Sequence, residues 1–128
     1  MARGRGGEPA ELPEGVAHVV DLLYRWAPVS VRRMFSGVGL FRGGVIFALV
    51  LRDTVHFRVD DGNRADYEAA GMEPFSYSRS GRTVSIAYYE VPPDILDEGE
   101  DLTRWAMKAY EAALRTSVRK RPKRKRSR

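Results

Sequence analysis

The chain has no cysteine, only two histidines, and no apolar run longer than the seven residues Val45 to Leu51. The missing thiols exclude disulfides, thiolate nucleophiles and zinc sites built on sulfur. A nitrogen-ligand metal site would need both His18 and His56 together with carboxylates, and nothing spaces them in that way, so no metal is expected. Seven apolar residues fall far short of the roughly 20 that span a bilayer. The N-terminal stretch MARGRGGEPAELPEG also lacks the apolar centre of a signal peptide. A cytoplasmic location with no membrane partner is the expectation.

What is present is one domain's worth of chain with its charge unevenly placed. The 128 residues are enough to bury a core without staples. The last ten residues, RKRPKRKRSR, hold eight of the 22 Lys and Arg and no acid, which leaves residues 1–118 with 14 basic against 17 acidic side chains, a balance of −3. A block of about +8 repels itself and has no apolar surface to bury, so it is expected to be disordered in isolation. The expected division is a flexible leader over 1–13, a folded domain over 14–118 and a disordered basic tail over 119–128.

Along the chain, Val16, Val19, Val20, Leu23 and Ala27 recur at helical spacing and predict an amphipathic helix ended by Pro28. Val31 to Phe35 reads as a strand, with Val38 to Arg42 as its continuation or its partner. Val45 to Leu51 is apolar on both alternating sets, Val45, Phe47, Leu49 and Leu51 on one and Ile46, Ala48 and Val50 on the other, which predicts a central strand covered on both faces. Val55, Phe57 and Val59 alternate with His56 and Arg58, a strand with one wet face. Asp60 or Asp61 is expected to cap a short helix, NRADYEAA, closed by Gly71. Phe75 and Tyr77 alternate with serines, SRSGR turns the chain, and Thr83 to Val91 forms a longer strand stopped by Pro92 and Pro93. Asp97 and Glu100 resemble a capping box before a final helix from about residue 99. Leu102, Trp105, Ala106, Ala109 and Ala113 would form its inner face. The fold class is α+β, an antiparallel sheet of about five strands flanked by helices in the order α-β(3)-α-β(2)-α.

The stretch MFSGVGLFRGG, Met34 to Gly44, invites a phosphate-loop reading that its residues refuse. A dinucleotide fingerprint starting at Gly37 needs glycine where Arg42 stands. A P-loop starting at Gly39 needs Lys and Ser or Thr where Val45 and Ile46 stand. The glycines are better suited to a bulge or close packing at Gly37 and Gly39 and to a hairpin turn at Gly43-Gly44.

No other residues assemble a catalyst. His56 is expected on a solvated strand face and His18 half-buried on the flank of the first helix. The acidic pairs Asp60-Asp61 and Glu100-Asp101 are explained by helix starts. None of Ser76, Ser78, Ser80 or Ser85 stands in a G-x-S-x-G elbow. Tyr88 and Tyr89 lie on opposite strand faces, either stacking on a partner or covered by helices. The chain reads as a non-enzyme without catalytic residues, cofactor or metal. Its sharpest chemical feature is the tail, where Arg119, Lys120, Arg121, Lys123, Arg124, Lys125, Arg126 and Arg128 are candidates for sequence-independent contact with DNA or RNA phosphates. A solubilising tail and adhesion to an anionic membrane surface are the alternatives.

Taken in order, MFSGVGLFRGGVIFALV, VHFRVDDGNRADYEAAGMEPFSY, SIAYYEVPPDILD and the Leu102-Thr103-Arg104-Trp105-Ala106 helix start resemble the N-terminal domain of the TfoX/Sxy family over about residues 16–116. The resemblance implies an α+β domain with a sheet like that of type III secretion chaperones. It implies a regulator of natural competence, a family in which transcription of DNA-uptake genes is promoted together with the cyclic-AMP receptor protein. No catalytic residue or cofactor is known for that family, so none is carried over. Ser36, Val38 and Arg58 depart mildly from its pattern, and the basic tail stands where two-domain members have a helical C-terminal domain. The expected function is a non-enzymatic regulatory domain whose partner is transcription machinery or a second copy and whose tail binds nucleic acid. The alternative is a chaperone-like or adaptor domain that binds a protein on an exposed sheet face without binding DNA.

Overall fold

The computed structural model describes residues 12–34 and 37–120. The chain runs α1 (Glu14–Leu23), β1 (Ser30–Met34), β2 (Gly37–Arg42), β3 (Val45–Leu51), β4 (Thr54–Arg58), α2 (Arg64–Ala69), β5 (Pro74–Arg79), β6 (Arg82–Glu90), α3 (Pro93–Leu96) and α4 (Gly99–Lys120). The six strands form one antiparallel sheet in the order β1-β2-β3-β4-β6-β5. The sixth strand arises because the segment after Met34 is a partner of β1 and not its continuation.

Helices pack on one face of this sheet. Val16, Val19 and Leu23 of α1 and Leu102, Ala106, Ala109 and Ala113 of α4 share a core with Leu40, Phe47, Ala48, Val50, Val55 and Phe57 of the sheet. Four of the buried α4 residues are alanines, Ala106, Ala109, Ala112 and Ala113, so the helix can lie close against β3 and β4. Aromatic side chains fill the flanks. Trp26 meets Phe47 edge-on at 5.6 Å, and Tyr67 of α2 meets Trp105 at 4.7 Å and Tyr89 at 5.5 Å.

A β-bulge overturns the expectation that both faces of β3 are covered. Leu40 pairs with Ala48 but Phe41 pairs with Ile46, so Phe47 is an extra residue in β3. Phe47 and Ala48 are both fully buried among helix residues. Beyond the bulge the alternation is inverted. Val50 joins the helix-covered face, while Leu49 and Leu51 move to the opposite face with Ile46. No described helix covers them there.

Among the described residues three tight hairpins, at Gly43-Gly44, Arg52-Asp53 and Ser80-Gly81, have φ between 52° and 82° at both central residues. This left-handed turn matches the strand twist. Helix starts differ from expectation. Neither Asp60 nor Asp61 caps α2, whose cap position is Asn63. Asp60 instead accepts the Gly62 N–H (2.8 Å), and the buried Asn63 side chain ties the Asp60 N–H to the Arg58 carbonyl. Asp97 ends the short helix α3 and lies outside α4, so the Asp97–Glu100 capping box does not form. α1 stops at Leu23, five residues before Pro28, in a turn through Trp26.

Candidate functional site

The open face of the sheet is the site. The register puts Met34, Gly37 and Gly39 beside Leu51 and Leu49 on the face opposite the helices. Gly37 has no alternative there, because a Cβ would collide with the Val50 carbonyl oxygen. A Cβ on Gly39 would come within 2.6 Å of the Met34 sulfur and 3.0 Å of Ile46 Cδ1. The two glycines of MFSGVGLFRGG therefore serve close packing, and by carrying no side chain they lower the floor of a trough.

The opposite wall comes from β5 and β6. Pro74 pairs with Tyr89 and Ser76 with Ser85, so Ile86, Ala87 and Tyr88 together face the single residue Phe75. This irregular pairing brings the Phe75 ring edge-on to His56 at 5.2 Å. A hollow of about 540 Å³ results, lined by Met34, Leu49, Leu51, Phe75, Tyr77 and Ile86 with Arg52 at its margin. None of these residues belongs to the helix-side core. A second, more polar hollow of about 390 Å³ shares Leu51, Arg52 and Phe75 and extends to His56 and Glu90.

His56 departs from its expected wet position and is only 5% exposed. Its Nδ1–H donates to the Thr54 carbonyl at 2.9 Å, and burial lowers its pKa below 6.5, opposed in part by that hydrogen bond and by Glu90. Arg58 is half-buried, bonded to Thr116 Oγ1 at 2.9 Å and stacked over Tyr88. Tyr88 is 8% exposed beneath it, and Tyr89 packs on Tyr67, so neither tyrosine offers a free ring. His18, expected half-buried, is exposed.

Guanidinium groups sit over aromatic rings at several places on the sheet. Arg32 sits 4.6 Å from the Phe41 centroid, Arg52 5.0 Å from Phe75, and Arg58 5.4 Å from Tyr88. Arg32 and Arg52 are exposed and have no ion-pair partner among the described residues. Sequence reasoning missed both, because stacking partners nine and twenty-three positions away leave no local pattern. The legible signal was the surplus of apolar residues in Val45 to Leu51.

The other sequence candidates have structural explanations. Asp60 binds Arg115 in a two-pronged contact (2.6 and 2.8 Å), Asp61 binds Arg64, and Asp101 binds Arg104. The Ser76 and Ser85 hydroxyls pair with each other at 3.0 Å. Among the described residues no three His, Asp or Glu side chains could hold a metal ion, and no helix is long and apolar enough to cross a membrane. Of the tail candidates, Arg119 and Lys120 fall in the last turn of α4. Arg121, Lys123, Arg124, Lys125, Arg126 and Arg128 lie outside the described residues, as does most of the leader.

Fold and site together define a two-layer α+β domain, helices on one sheet face and an apolar trough with an arginine rim on the other. The family model of the TfoX N-terminal domain matches residues 21–113, and the chain belongs to that family of competence-related regulatory domains. Among curated proteins nothing matches it.

Proposed function

We propose that the chain is a non-enzymatic cytoplasmic regulator whose folded body engages a protein through the open sheet face, while the basic tail adds electrostatic affinity for nucleic acid. The observation that carries this reading is the uncovered apolar face holding Leu49 and Leu51. Exposed contiguous apolar surface with a polar rim marks interaction sites in folded proteins. Family membership supports a regulatory setting, and transcription of competence genes is the process it suggests. Eight cations in ten residues favour a polyphosphate as the tail's ligand.

Duplex-DNA binding measured across a salt series, for the full chain and for a chain ending at Val118, tests the division of labour. The log–log slope should shrink on truncation by several units, up to about seven if all the tail cations contact phosphate. Equal binding by both chains, or none by either, removes the tail from the function and leaves the adaptor reading of the body.

A further inference from the structure

The occupant of the open face follows from the chemistry of its rim and floor. The floor is largely aliphatic, formed by Met34, Leu49, Leu51 and Ile86. Phe41, Phe75 and Tyr88 each have a guanidinium over the ring, Arg32, Arg52 and Arg58 in turn, which leaves Tyr77 as the trough-lining ring with no cation over it. A single strand that binds by stacking uses a succession of open rings, and one ring beside an aliphatic floor suits leucine-like side chains better.

The rim selects for charge. Glu90, across from His56, is the single carboxylate among the described strand residues on this face, and Glu73, one residue before β5, lines the polar hollow together with Glu90 and Arg52. Arg32 on the β1 edge and Arg52 at the β3–β4 turn flank the trough with no acidic partner among the described residues. Both guanidinium groups are exposed, and a guanidinium over a ring still has N–H donors to offer a carboxylate in a two-pronged contact.

We propose that the trough binds an acidic, amphipathic segment of a partner protein, whose apolar side chains seat against Leu49, Leu51 and Ile86 and whose carboxylates meet Arg32 and Arg52. This rests on the reading above that the open face engages a protein, and adds the chemistry of that protein. Carboxylates at the rim orient the segment and accelerate its capture, while the apolar floor supplies most of the affinity.

The test is a selection of random dodecapeptides displayed on phage against the full chain. Selected peptides are then assayed on the synthetic peptide RKRPKRKRSR, and those that bind it as tightly as the full chain are set aside as tail binders. Selected peptides should be rich in Asp and Glu interleaved with Leu, Ile or Phe. Their affinity should fall at least about tenfold in the double variant Arg32→Gln, Arg52→Gln, the loss expected when charge-assisted hydrogen bonds are removed. Met34→Glu, at a position 36% exposed on the trough margin, should weaken them similarly. Both variants change exposed side chains, and a thermal melt within a few degrees of the parent's shows that they fold.

Peptides that are basic or uncharged yet sensitive to Met34→Glu overturn the acidic occupant and keep the docking face. Peptides insensitive to every trough variant, or an empty selection, overturn both. Displacement of the selected peptides by oligo(dT), with oligo(dT) binding itself lost in the arginine double variant, assigns the face to nucleic acid and overturns the proposal.

Discussion

Tyr67 is 1% exposed, packed between Trp105 and Tyr89, and its hydroxyl has no hydrogen-bond partner among the described residues. Burial, with Asp66 nearby, pushes its pKa upward, so it stays neutral at all physiological pH. The ring stabilises the fold and the hydroxyl does not. Tyr67→Phe should leave the unfolding free energy unchanged or raise it by up to about 1 kcal/mol, whereas Tyr67→Ala should cost about 3–5 kcal/mol, as read by urea denaturation. His56 works in the opposite sense, through pH. Its folded pKa lies below 6.5, so the unfolded chain takes up the proton first. Its stabilising contribution is complete above pH 6.5 and is lost as pH falls through that value toward the folded pKa. Urea titrations at pH 7.5, 6.5 and 5.5 should show declining stability, and His56→Gln should flatten the decline in that window. Neither behaviour was legible in the sequence. VHFRV alternates as a half-wet strand does, and only the curl of β5 brings Phe75 over the histidine.

At the scale of elements, the hairpins show how local chemistry and tertiary context divide the work. Gly43-Gly44 is spelled for a left-handed turn and was readable. Arg52-Asp53 adopts the same backbone, at φ of 52° and 61°, with residues that disfavour it. β3 and β4 impose that turn because their paired side chains, Val50 with Val55 and Ala48 with Phe57, are locked in the core. Replacing Asp53 by glycine, Asp53→Gly, should relieve the strain and raise stability by roughly 0.5–1 kcal/mol in thermal or urea unfolding, with the Arg52 side chain retained. α4 was legible almost whole. The spacing of Leu102, Ala106, Ala109 and Ala113 matches the buried stripe, and only Trp105 stays half-exposed. The capping residues were not legible, because Asp60 has a tertiary tie to Arg115 and a local bond from the Gly62 N–H, and Asp61 a local pair in Arg64, none of which a helix-start pattern encodes.

For the whole molecule, a sheet with helices on one face alone predicts uneven protection. β3 and β4 are paired on both sides and backed by α4, while β1 and β5 are edges. Amide hydrogen exchange should be slowest in Phe47 to Val50 and Val55 to Phe57 and faster in β1 and β5. A bound segment on the open face should slow exchange in β1 and β5 without altering the already protected centre. The edges carry their own safeguards against pairing with other chains, Arg32 and Arg33 on β1 and Pro74 on β5.

The sequence by itself determined the α+β class, the approximate order of elements, the family and the absence of thiol chemistry. Those follow from periodicity, turn residues and composition, which act over a few neighbouring positions. Only the tertiary structure decided which face of the sheet stays open. One extra residue at Phe47 inverts the alternation of β3, and periodicity has no way to register a bulge that exists only relative to the partner strand. The same holds for the rim, since Arg32 and Arg52 acquire their meaning from rings that pairing brings beneath them.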